Sequence, residues 1–219
     1  MKVVNIPFYY KKSIMLPKAL VKRLPKKVML FCTVQYLNQL PFLKKQLEQN
    51  NKMILLKRLN HCKEKGQILG CNISEIKDDF EAFLYVGEGE FHPKALTQAN
   101  RKPVFCFNPI SKKYYTISSD DKTEKRKSAK IAKFLLSKNI GILLTVKTGQ
   151  FSDSKIDEIN SKYKDKNFYL FINDTYDFSE LEDFTFIDCF VNTACPRIGV
   201  DDSCKTQKPM VNLLDLLNF

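Results

Sequence analysis

Apolar residues fall in short blocks along this chain, and the blocks alternate between two periods. Lys27–Val34 (KVMLFCTV) is a continuous apolar run of strand length, bounded by lysines before it and polar residues after it. Tyr36–Gln49 (YLNQLPFLKKQLEQ) changes to helical spacing, with Pro41 in the first turn where its missing N–H costs nothing. Lys52–Leu56, Ala82–Val86, Lys102–Phe107 and Tyr114–Ser118 read as further strands, and Met1–Pro7 as a short one at the start. Asp120–Lys138 opens on the polar cap SSDD and places Ala129, Ile131, Ala132, Leu135 and Leu136 on one face of a helix. The alternation then restarts: strand Ile140–Val146, helix Ser152–Tyr163, and strands Asn167–Ile172 and Ile187–Val191. Strands separated by helices predict βαβ units, hence an α/β fold with mostly parallel sheets.

The restart has the marks of an internal repeat. Thr33-Val34 and Thr145-Val146 occupy like places at the ends of apolar runs, and Glu81-Ala-Phe-Leu matches Asp188-Cys-Phe-Val at a similar offset. The pattern predicts two tandem similar α/β domains, residues 1–118 with Cys71 and residues 119–219 with Cys195, joined through the 120–138 helix.

Composition narrows the function. At 44% hydrophobic the chain has material for a core. No apolar run reaches the length of a membrane span, and the start does not read as a signal peptide because Pro7 cuts its apolar stretch, so a cytoplasmic location is the expectation. The net charge of +12 draws acidic partners. Lysine supplies it, however: Arg23, Arg58, Arg101, Arg126 and Arg197 are the only arginines, and a nucleic-acid reader favours the planar guanidinium fork. The seven cysteines are odd in number and form no C-x-x-C pair, which speaks against a disulfide framework and a zinc ribbon.

Sites in parallel sheets form outside the carboxyl ends of the strands, and four unusual clusters are predicted there: Gly66-Gln-Ile-Leu-Gly-Cys71, Val86-Gly-Glu-Gly-Glu-Phe-His-Pro93, Lys147-Thr-Gly-Gln-Phe151 and Val191-Asn-Thr-Ala-Cys-Pro-Arg197. Each has a plain structural reading. Gly66–Cys71 fits a turn, Gly87 and Gly89 are too close for a dinucleotide fingerprint, His92 before Pro93 fits a helix cap, and Cys195-Pro196 fits a buried thiol in a rigid turn. Taken together they suggest another chemistry. Single cysteines offered by two domains suit iron–sulfur ligation, since thiolates are soft donors.

At these residues a family resemblance emerges. "VQYLNQLP", "GQILGC", "VGEGEFHP", "KRKSAKIAK", "VKTGQF" and "VNTACPRIGVDD" resemble, in order, the blocks of the diphthamide-biosynthesis 3-amino-3-carboxypropyl transferases. That resemblance implies three similar α/β domains, each giving one cysteine to a 4Fe–4S cluster. By motif, Cys71 and Cys195 are the ligands of the second and third domains, and the first domain with its cysteine has no counterpart here. It further implies S-adenosylmethionine on the open iron and transfer of a 3-amino-3-carboxypropyl group to a histidine of translation elongation factor 2. Gln150 is then the expected partner of the methionyl carboxylate, with Lys147 and Arg197 as alternatives and His92 and Glu90 as further candidates.

The expected assembly is a split synthase, in which a separate chain supplies the first domain and the third cysteine, with homodimerisation open. Two other readings stand beside it: a non-catalytic scaffold or electron-relay partner, and a basic module for ribosome or nucleic acid. The absence of an arginine-rich or aromatic-interleaved run disfavours the last.

Overall fold

A computed structural model describes residues 6, 8–119, 121–147, 153–217 and 219. The chain divides into two compact units, Met1–Ser119 and Asp120–Phe219.

The first unit runs α1 (Lys18–Arg23), β1 (Lys27–Cys32), a 3-10 turn (Val34–Gln39), α2 (Leu40–Glu48), β2 (Met53–Leu55), β3 (Ala82–Val86), α3 (Phe91–Ala99), β4 (Val104–Phe107) and β5 (Tyr114–Ile117). Its sheet has the order β2-β1-β3-β4-β5, parallel except for the β4–β5 pair. The second unit runs α4 (Asp121–Leu136), β6 (Asn139–Thr145), α5 (Asp153–Lys162), β7 (Asn167–Asn173), β8 (Cys189–Asn192), a π-type turn (Ile198–Asp202), β9 (Met210–Asn212) and α6 (Leu213–Leu217). Its sheet is parallel throughout, in the order β7-β6-β8-β9.

Burial explains the strand pattern. All five residues of β3 are buried, as expected for a central parallel strand covered on both faces. One face of the first sheet packs Val28, Leu30, Leu84 and Val86 under α1 and α2, and the other packs Met29, Phe31, Phe83 and Tyr85 against the β2–β3 connection and α3. In the second unit Ile140, Ile142, Leu144 and Val191 meet Ile131, Phe134, Ile156 and Ile159, while Leu143, Phe190 and Met210 form a smaller core with Leu181 and Ile187.

The repeat seen in the sequence has a common hydrogen-bond pattern. Glu81, just before β3, accepts the Lys27 N–H at the start of β1 at 2.8 Å. Asp188, just before β8, accepts the N–H groups of Lys138 and Asn139 at the start of β6, at 3.0 and 2.8 Å. In each unit the central strand lies between its partner on the far side (β2, β7) and the next parallel strand (β3, β8), so β1, β2, β3 and β4 correspond to β6, β7, β8 and β9.

Several boundaries differ from the periodicity. β1 stops at Cys32 because Thr33 caps the 3-10 turn that begins at Val34, and the helix expected over 36–49 is a 3-10 turn followed by α2, with Pro41 inside its first turn. α1, α3, β9 and α6 are short elements that the periodicity does not predict. The expected strand over 1–7 lies almost wholly outside the described residues. No described helix is long and apolar enough to cross a membrane.

Candidate functional site

In the first unit two of the sequence clusters and the block "VQYLNQLP" assemble at the carboxyl ends of β1 and β3. The segment after β2 returns to β1 through a parallel bridge between Gln67 and Cys32, with the Cys32 N–H donating to Gly66 C=O at 2.8 Å and the Ile68 N–H to Cys32 C=O at 3.0 Å. Gly66 sits in the left-handed region at φ +79°, which glycine alone adopts without strain. Gln67 accepts the backbone N–H of Lys63 and of Glu64, closing the turn before it. Gly70 has a different reason: a methyl there would overlap the Phe91 ring, so "GQILGC" and "VGEGEFHP" fit together at that point.

Cys71 is half-buried in this loop. The next residue, Asn72, is buried, and its amide is used at both ends. Its Oδ1 accepts the Leu69 N–H at 2.7 Å and the Cys62 thiol at 3.4 Å, and its Nδ2 donates to Asn60 C=O at 2.7 Å. Cys62 lies close enough that burial first, and Cys71 second, push its pKa up to about 11. Around this loop the Tyr36 hydroxyl donates to Glu88 at 2.8 Å, which joins "VQYLNQLP" to "VGEGEFHP". His92 stands in the first turn of α3 with Nδ1 3.5 Å from the Tyr85 hydroxyl, and Glu90 pairs with Lys94 at 2.7 Å.

In the second unit Cys195 and Lys147 line one cleft of about 230 Å³. It opens beyond the carboxyl ends of β6 and β8, and Thr145, Asp174, Thr175, Tyr176, Ala194 and Asp202 complete much of its wall. The Tyr176 hydroxyl reaches down to the carbonyls of Leu144 and Phe171, which fixes the aromatic wall, and burial raises its pKa to about 12. Lys147 donates from Nζ to the Thr175 hydroxyl at 3.2 Å.

The turn holding Cys195 is built from Asn192, the last residue of β8, through the π-type turn. Arg197 is 6% exposed and pairs with Asp201 at 2.6 Å, one turn further on. Lys130 of α4 donates to Gly199 C=O at 2.7 Å and to the Ser203 hydroxyl at 2.6 Å, so "KRKSAKIAK" supports "VNTACPRIGVDD" from below. Burial pushes the Lys130 pKa down.

Of the predicted residues, the structure brings Lys147 and Cys195 together, with Arg197 anchoring the same turn. Cys71 and His92 belong to the first unit, and Gln150 lies outside the described residues. The periodicity missed Asp174 and Tyr176, which follow β7, and the paired amides Asn192 and Asn212. The recurrence of asparagine at the ends of β8 and β9 was the one available signal. Cys71 and Cys195 also occupy different places in the repeat, one between β2 and β3 and the other between β8 and β9.

None of the seven cysteines is in a disulfide. Burial pushes Cys32, Cys106 and Cys189 up to about 12, which suits packing rather than ligation. Cys71 and Cys195 are half-buried at the carboxyl ends of their sheets, in turns tied down by backbone and amide hydrogen bonds. Thiolates held in this way are soft donors of the kind an iron–sulfur group takes. Among the described residues no group of three or more His, Cys, Asp and Glu side chains is placed to hold a metal ion.

The 2-(3-amino-3-carboxypropyl)histidine synthase of Pyrococcus horikoshii is 32% identical over 195 residues, covering 87% of this chain and 56% of its own length. The synthase of the same name from Methanocaldococcus jannaschii is 34% identical over 191 residues, covering 84% of this chain and 49% of its own. The chain thus spans about half the length of these relatives. The crystal structure of Dph2 from Pyrococcus horikoshii with a 4Fe-4S cluster superposes with a TM-score of 0.76 at 29% identity, covering 90% of this chain and 58% of that one. The diphthamide synthesis protein family matches residues 4–217, and the chain belongs to that family.

Proposed function

We propose that this chain is one part of a 3-amino-3-carboxypropyl transferase of diphthamide biosynthesis, and that Cys71 and Cys195 are two protein ligands of its 4Fe–4S cluster. In this reading the third thiolate comes from a separate polypeptide, because Cys71 and Cys195 are the two cysteines here that stand in the family's ligand blocks. When bound, the cluster supplies an electron and an open iron for S-adenosylmethionine. The chain's own residues bind and orient. Gln150 takes the methionyl carboxylate, with Lys147 and Arg197 as its cationic alternatives, and His92 is the further candidate offered by the first unit. The Tyr176 wall of the cleft keeps water away from the transferred group. The acceptor is a histidine of translation elongation factor 2, methylthioadenosine is the other product, and the lysine-rich surface favours an acidic partner. The reaction is placed in the cytoplasm.

The observation that carries this reading is the half-buried Cys195 in a cleft shared with Lys147, at the carboxyl ends of β6 and β8, in a chain of this family. Anaerobic reconstitution with iron and sulfide, alone and with a candidate first-domain protein, tests it. Cys71→Ala and Cys195→Ala each abolish the cluster absorbance, and Cys106→Ala keeps it. Equal iron content in all three variants would refute the assignment, and no iron in any preparation rules out the catalytic reading.

A further inference from the structure

Asn192 and Asn212 end the neighbouring parallel strands β8 and β9, directly paired in register. They are 2% and 7% exposed. A buried primary amide is costly unless its N–H and C=O groups find partners, and here the partners lie in one place. Asn192 Nδ2 donates to Asn212 Oδ1 at 2.7 Å and to Cys195 C=O at 2.9 Å. Its Oδ1 accepts the Ala194 N–H at 3.1 Å. Asn212 Nδ2 donates to Pro196 C=O at 2.9 Å. The two side chains therefore grip three successive residues, Ala194, Cys195 and Pro196, and also each other.

The rest of the turn closes on the same pair. The Ile198 N–H adds a second bond to Cys195 C=O at 2.9 Å. Gly199 comes so near the Asn212 amide that a methyl there would overlap it, and Lys130 holds the Gly199 carbonyl. Apolar side chains would fill two buried strand ends without the desolvation cost, so packing alone does not account for the amides.

We propose that Asn192 and Asn212 are positioning residues that set how Cys195 presents its sulfur to the cleft, Asn212 doing so from the far end of the chain sequence. The role as a positioner of a cluster ligand rests on the reading of Cys195 given above, whereas the control of its thiol can be measured without iron. The pair acts as a unit, because Asn212 orients Asn192 and Asn192 holds the carbonyl of the cysteine itself.

The test is the rate of iodoacetamide alkylation at each cysteine of the full-length chain, followed by peptide mass spectrometry. Cys204, exposed in the following loop, and Cys71, in the other unit, serve as internal references. Asn192→Ala, Asn212→Ala and Gly199→Ala change the Cys195 rate by about fivefold or more, the scale of one lost hydrogen bond, and leave the Cys71 and Cys204 rates as in the parent. Asn212→Asp keeps the acceptor for Asn192 and loses the donor to Pro196, and its effect is intermediate. Should the two asparagine-to-alanine variants not fold, Asn212→Asp and Gly199→Ala decide the question. Parental Cys195 rates in folded variants overturn the proposal. A second arm reconstitutes the parent with iron and sulfide together with a candidate first-domain protein. Cys195 rates that respond to the variants without protection by iron sink the cluster reading alone, while protection by iron with unresponsive rates sinks this inference alone.

Discussion

Two kinds of glycine serve the first unit's loop. Gly66 is needed for its positive φ, while Gly70 has no such constraint and is needed because the Phe91 ring occupies the space of a side chain. Gly70→Ala is therefore expected to cost about 1–3 kcal/mol through overpacking, read as a lower urea midpoint. Phe91→Ala in the same background restores part of it, a coupling that a purely conformational effect would lack. Thiols give a second residue-scale outcome. Cys32, Cys106 and Cys189 have pKa values raised by burial from 9.0 to about 12, and Cys62 to about 11. The folded chain holds these protons more tightly than the unfolded one, so their contribution to stability is fully present below pH 9. It declines as pH rises through the window between 9 and 12. Urea midpoints measured at pH 8, 9, 10 and 11 fall accordingly, and Cys189→Ala shows a shallower fall. Both cysteine types carry the same letter in the sequence; only their depth separates a packed thiol from a presented one.

The acidic residues before β3 and β8 do one job in the two units with different strength. Asp188 accepts two backbone N–H groups at the start of β6, where Glu81 accepts one at the start of β1. Asp188→Ala is expected to cost about 1–2 kcal/mol and Glu81→Ala less, since fewer donors lose their partner. Guanidinium unfolding of the two variants checks the order, and an equal cost would deny the correspondence between the two strand entries. The long strands and the α4 helix were legible because a buried parallel strand is a run of apolar residues and an amphipathic helix repeats its face. α3 was not, because Phe91–Ala99 follows a Gly-Glu-Gly-Glu turn and carries Pro93 in its first turn, so it reads locally as a loop. The β2–β3 connection likewise has no period. Its shape comes from the Gln67–Cys32 bridge and the Asn72 amide, both of them contacts between residues apart in sequence.

At the scale of the molecule each unit has its own apolar core and its own sheet, so a fragment of residues 120–219 is expected to fold by itself. Circular dichroism of that fragment with a cooperative thermal transition checks this, and a molten fragment refutes it. The presence of Cys195 and its cleft in this unit means that the alkylation behaviour of Cys195 survives in the fragment.

The order of the family's blocks, the α/β alternation, the repeat and the two unusual cysteines were all written in the sequence, because burial periods and turn residues are local properties. What required the tertiary structure were the partners: Lys147 beside Cys195, Tyr36 on Glu88, Phe91 over Gly70, Lys130 under Gly199, and Asn212 reaching back to the peptide groups around Cys195. Parallel strands bring distant segments side by side at their carboxyl ends. A hydrogen bond between two such segments leaves no period in either of them.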